Sequence, residues 1–193
     1  MSRAIQEKSL KQEIDLLVDF VNTRDVEEET DAIAAPVQLR AWIAEHAGEY
    51  LPELEAEDLS PVLELREALR ALMLANNGVP TGERELEPLY AAAERSRYRL
   101  AFDPHGKLSL APARADLAGF ESRLLLALER LQCEGAWPRL KACTDEGCHW
   151  AFYDATRNRS RTWCSMDVCG NREKTRRYRR RKGAGTRRQP QGA

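Results

Sequence analysis

Four cysteines, Cys143 and Cys148 followed by Cys164 and Cys169, form two matched pairs, with four residues inside each pair and fifteen between the pairs. Thiolate sulfur suits zinc, and four thiolates at about 2.3 Å complete a tetrahedral shell. Two short cysteine-bearing turns supply such a set and close the chain between them, so one structural Zn2+ is expected. Zinc-ribbon knuckles more often hold two residues between cysteines, and the wider gap here predicts a longer turn. Gly147 and Gly170, beside Cys148 and Cys169, are expected to reach positive φ and aim backbone N–H groups at sulfur. Iron–sulfur ligation would use the same four thiolates. His149 offers a replacement donor, but beside four thiols it reads as a bystander. A catalytic zinc keeps one position open, whereas four cysteines close the shell. No nucleophile–base pair and no phosphate-cradling glycine loop is visible, so the chain is expected not to be an enzyme. Oxidation of the thiolates with release of metal is a further use of such a set.

Cations crowd the same region. Arg157, Arg159 and Arg161 lie between the pairs, among Trp150, Phe152, Tyr153 and Trp163. After Cys169 come Arg172, Lys174, Arg176, Arg177, Arg179, Arg180, Arg181 and Lys182. Residues 1–138 hold 15 lysines and arginines against 26 acidic residues, a net −11, and residues 139–193 hold 15 against 5, a net +10. Such a split predicts an acidic body and a polyanion-binding end. Projected as a helix, Asn171–Lys182 places Asn171, Lys174, Thr175, Tyr178 and Lys182 on one face, with Arg172, Arg176, Arg179 and Arg180 on the adjacent arc. A helix this cationic repels itself until phosphates neutralise it and release counterions. Tyr178, its one large apolar side chain, is expected to pack back on the cysteine module. DNA is the expected partner, and RNA or an acidic protein is the alternative.

Something must hold that module. The body reads as helical: Ile5–Asn22 aligns Ile14, Leu17, Val18 and Val21, and Val37–Ala47 carries Leu39, Trp42 and Ile43. Ser60-Pro61 starts a third helix, which places Leu65, Leu69, Leu72 and Met73 in the core and stops at Asn77-Gly78. A fourth spans Arg84–Ser96, with Pro88 starting or kinking it, and a fifth spans Ala115–Leu131. Between these two, Tyr98–Phe102 and Leu108–Leu110 flank Asp103-Pro-His-Gly106, a β-hairpin pattern. The expected fold is therefore mainly α: a helical domain with a small hairpin over 1–136, a four-cysteine zinc module ending in a basic helix over 137–183, and a disordered basic tail over 184–193. No signal peptide or apolar run long enough to span a bilayer is visible, which predicts a cytoplasmic protein with reduced thiols and no membrane partner. Cys133, outside the pairing, is expected to be an inert buried thiol. The body is expected either to sense a ligand or to form a homodimer.

The residues from Leu140-Lys-Ala-Cys143 through Cys148-His-Trp-Ala-Phe-Tyr-Asp154, Arg157-Asn-Arg-Ser-Arg161 and Trp163-Cys-Ser-Met166 to Cys169-Gly-Asn-Arg172 resemble the CGNR-type zinc finger. Val18-Asp-Phe-Val-Asn-Thr-Arg24 and Leu39-Arg-Ala-Trp42 resemble the ABATE-like domain that precedes this finger in bacterial stress-induced transcription regulators. That family carries a glycine pair before the Asp-Phe-Val-Asn-Thr stretch, where this chain has Gln12-Glu-Ile-Asp-Leu-Leu. The resemblance implies that Cys143, Cys148, Cys164 and Cys169 ligate zinc and that the protein binds DNA in transcription and the stress response. Asn22, Thr23 and Arg24 are open to two readings, a helix end or an effector-contacting site.

Overall fold

A computed structural model describes residues 3–185, with side chains placed over 10–182. The first helix, α1 (Arg3–Val21), buries Leu16, Leu17, Phe20 and Val21. A hairpin of two-residue strands follows, β1 (Arg24–Asp25) paired antiparallel with β2 (Thr30–Asp31). Helix α2 (Pro36–Ala47) opens on a proline at its first position, where no backbone N–H is needed, and Gln38 Oε1 accepts the Ala35 N–H at 2.9 Å. It ends at Gly48 in the left-handed region, φ 66°.

Helix α3 (Leu59–Ala75) buries Val62, Leu65, Leu69 and Met73, and with them two arginines, Arg66 and Arg70. It starts one residue before Ser60, whose hydroxyl lies inside the first turn and donates to Glu64 at 2.8 Å. Helix α4 (Glu83–Arg95) carries Pro88 in its second turn, so the proline neither starts nor ends it. Strands β3 (Tyr98–Phe102) and β4 (Leu108–Pro112) pair from Tyr98 opposite Pro112 to Phe102 opposite Leu108. Helix α5 (Leu117–Cys133) is capped by Asp116, whose carboxylate accepts the Gly119 N–H at 3.1 Å. Gly119 lies so near the Arg114 carbonyl that a Cβ would collide with it.

Phe20, Trp42 and Phe120, from α1, α2 and α5, pack ring against ring at 5.7–6.2 Å between centroids. Around them the apolar faces of these helices and α3 form the core. That core continues into the cysteine region. Strands β5 (Leu140–Ala142) and β6 (Ala151–Tyr153) form a third antiparallel hairpin, and Leu140, Ala142 and Ala151 are buried in the same cluster as the helices. A π-helical turn, Met166–Gly170, leads directly into α6 (Asn171–Gly185). The fold is mainly α with six α-helices among the described residues. Helix α6 extends past the expected end of the module, and residues 186–193 of the tail expected to be disordered lie outside the described range. No described helix is long and apolar enough to cross a membrane.

Candidate metal centre and basic helix

Each cysteine is placed by a different local device. Cys143 follows β5, and its N–H donates to the Trp150 carbonyl at 2.9 Å, which extends the β5–β6 pairing by one rung. Cys148 closes a turn in which the Asp145 carbonyl accepts the Cys148 and His149 N–H groups at 2.8 and 3.2 Å. Cys164 ends the 154–163 loop, and Cys169 sits in the π-helical turn that Ser165 caps through the Val168 N–H. The four sulfurs lie within 4.8 Å of one another, with 3.5 Å between Cys148 and Cys164 and 3.6 Å between Cys164 and Cys169. A tetrahedron with metal–sulfur bonds of about 2.3 Å has edges of about 3.8 Å, so the set fits a single ion.

The thiols also show why a cation belongs there. A hydrogen bond from the Cys148 thiol, with backbone N–H groups of Cys164 and Asp145, draws Cys143 down to about 5. The hydrogen bond to Cys143 pushes Cys148 up, and burial pushes Cys164 up and Cys169 up to about 12. Thiolates this close repel one another, and only a cation among them offsets that repulsion. A divalent ion at their centre does so, and a coordinating thiol is deprotonated outright.

Positive φ falls at His149 (53°) and Arg159 (51°), rather than at Gly147 and Gly170 as expected. Gly170 is needed for space: a Cβ there would meet Met166 Sδ at 2.6 Å and the Trp163 ring at 3.4 Å. Phe152 and Trp163 pack on the sulfur cluster, while Trp150 is 36% exposed.

Buried Asp154 organises the loop between the pairs. Its carboxylate accepts from Lys141 Nζ at 2.9 Å, the Thr156 hydroxyl at 2.6 Å, and the N–H groups of Thr156 and Arg161 at 3.0 Å. Burial alone would raise its pKa, but these donors hold it far below the usual carboxylate range. Lys141 is buried too and also donates to the Arg159 and Arg161 carbonyls.

The ten candidate cations divide. Arg161 braces the module: its guanidinium stacks 4.7 Å over the Phe152 ring and donates to the Trp163 and Cys164 carbonyls. Arg172 and Arg176, one turn apart on α6, both face buried Asp145; Arg176 donates at 2.8 Å and Arg172 stands 3.6 Å away while also gripping Glu27. Burial would raise the pKa of Asp145, but Arg176, the Gly147 N–H and Arg172 hold it below its ordinary value. Arg180 pairs with Glu173 at 2.7 Å. Arg157, Arg159, Lys174, Arg177, Arg179 and Arg181 are exposed and make no ion pair among the described residues. Tyr178, expected to pack on the module, is 65% exposed. Cys133, expected to be buried, is exposed at the end of α5, where Glu129 accepts from its thiol at 3.2 Å and pushes its pKa up.

Asn22, Thr23 and Arg24 point in three directions. The Asn22 amide accepts the Ala151 N–H at 2.7 Å and donates to the Ala151 carbonyl at 2.9 Å, which clamps β6 to the end of α1. Thr23 donates to the Phe20 carbonyl at 2.8 Å and accepts from buried Arg66 at 3.0 Å. Arg24 lines a cleft of about 380 Å³ with Asp31, Leu63, Glu67 and Pro88.

The residues that seat the module were not visible as site residues in the sequence. Arg70 donates to the carbonyls of His149 at 2.8 Å, Val21 at 2.6 Å and Arg24 at 3.3 Å. Asn76 donates to the Trp137 and Leu140 carbonyls, and Asn77 to those of Ala142 and Thr162, all at 2.8–2.9 Å. In the sequence Asn77 reads only as part of an Asn77-Gly78 helix stop, and in the fold the Asn76-Asn77 pair has a second role, as a docking plug.

A helical body seats a four-thiol centre able to hold one metal ion, and a cationic helix issues from the last thiol's turn. Residues 139–182 match the family model described as "CGNR zinc finger", and residues 15–132 match the ABATE model, described as "Putative stress-induced transcription regulator". The second match covers more than half of the chain, which belongs to the ABATE family with a CGNR zinc finger. No curated protein matches it.

Proposed function

We propose that this protein is a zinc-dependent DNA-binding transcription regulator, working in the reducing cytoplasm and without enzymatic activity. Cys143, Cys148, Cys164 and Cys169 would hold one Zn2+, and α6 would lie along the phosphate backbone. One observation carries the reading. The helix that leaves the last thiol's turn turns Arg172 and Arg176 inward onto Asp145, while Lys174, Arg177 and Arg181, on the opposite side, have no anionic partner among the described residues. The inner pair fixes the rod and the outer set is available to phosphate. Exposed Arg157 and Arg159 extend the cationic surface, and Arg24 with its cleft is the candidate effector contact.

Fluorescence anisotropy with duplex DNA across a salt series tests this. Neutralising each phosphate contributes a slope of about −0.9 in log K against log salt. Lys174/Arg177/Arg181→Ala should weaken binding and flatten the slope by roughly 2–3. Wild-type binding with no salt dependence, or an unchanged triple variant, would sink the reading. Structured RNA that outcompetes duplex DNA would instead favour an RNA-binding adaptor.

A further inference from the structure

The β3–β4 hairpin has its large residues on the wrong side for a monomer. Its register places Tyr98 beside Pro112, Leu100 beside Leu110 and Phe102 beside Leu108 on one face. The other face carries Ala101, Ser109 and Ala111, which are partly buried, and the exposed Arg99 opposite Ala111. Small residues therefore take the sheltered side and bulky apolar ones face water: Leu100 is 64% exposed, Phe102 68%, Leu108 and Leu110 52% each and Tyr98 40%. A contiguous apolar patch above a few hundred Å² marks an interaction surface.

We propose that this face is the contact through which two copies of the chain pair. Every cross-strand pair on it is apolar, so a two-fold axis parallel to the hairpin and passing just outside this face, over Leu100–Leu110, sets apolar against apolar, as an isologous interface requires. With aromatic side chains contributing 150–250 Å² when buried, the exposed area is roughly 500 Å² per copy, or about 1,000 Å² for the pair. That is the lower edge for a specific interface and fits a reversible dimer. The pairing does not depend on what α6 binds.

Sedimentation velocity on the zinc-loaded full chain, from roughly 1 to 200 µM, tests it. The wild type should move from monomer to dimer within that range. Leu100→Glu with Leu110→Glu should raise the dimer Kd at least tenfold, with unchanged zinc content and melting temperature because both side chains are solvent-facing. If the charged pair fails to fold, Leu100→Thr, which keeps strand propensity, should still weaken pairing several-fold. A wild type that stays monomeric throughout, or a dimer that neither variant weakens, overturns the proposal.

Discussion

Asp154 shows how much a single side chain does here. It is fully buried, and it joins β6, the loop that carries Arg157, Arg159 and Arg161, and buried Lys141. Replacing it with Asn leaves the Lys141 ammonium buried without its counter-charge, which costs about 3–5 kcal/mol. The pH dependence follows from the direction of its pKa. The folded value lies below the unfolded one, near 4, so the carboxylate's contribution is complete above about pH 4 and is lost as pH falls towards the folded value. Thermal melts should thus separate wild type from Asp154→Asn widely at neutral pH and bring them closer below about pH 3. A constant gap across that range would mean that the ion pair is not what stabilises the loop. Sequence reading missed this residue for a physical reason: a carboxylate among arginines looks solvated until the fold is known to bury it.

Between elements, the decisive contacts come from two arginines on one face of α3. Arg66 forms a two-pronged pair with Asp31 at 2.8 Å and serves the body alone. Arg70 reaches α1, β1 and the His149 carbonyl, and so ties the helices to the turn that holds Cys148. Arg66→Met and Arg70→Met should each destabilise the protein by about 3 kcal/mol, because each leaves buried partners unsatisfied. Only Arg70→Met should also speed loss of metal to a competing chelator; equal rates for both variants would refute the bridging role of Arg70. The helices that carry these arginines were legible because their apolar residues recur at helical spacing, as with Leu65, Leu69 and Met73. The β1–β2 and β5–β6 hairpins were not, since strands of two or three residues show no alternation. The division of the α6 cations was equally hidden. Projection groups Arg172 and Arg176 with Arg179 and Arg180, but only the position of Asp145 reveals that the first two turn inward. Arg172→Ala with Arg176→Ala should therefore weaken the proposed DNA binding by loosening the rod, yet leave the salt slope steeper than Lys174/Arg177/Arg181→Ala does.

Across the whole molecule, the reading of a body followed by a module at 137 meets a shared interior. The family matches divide the chain between residues 132 and 139, yet Leu140, Ala142 and Ala151 lie in the same core as Phe20 and Phe120. The Asn22 clamp spans 129 residues of sequence to reach Ala151. Strands β5 and β6 are thus held by apolar packing, whereas the Cys143–Cys148 turn and the run from Cys164 into α6 have few apolar contacts beyond Phe152 and Trp163. Metal binding must supply folding free energy to those segments, as it does in modules too small to bury a core of their own. Removing the metal should then have a graded effect. On chelation, hydrogen exchange should show amides of 143–149 and 164–182 losing protection while those of β6, α1, α3 and α5 keep it, and the melt of the remaining body should persist at a lower temperature. Cys148→Ser should reproduce the pattern without chelator. Protection that survives throughout 143–149 and 164–182 would show that the thiol set organises nothing, and its loss in α5 as well would make the metal a keystone of the entire core.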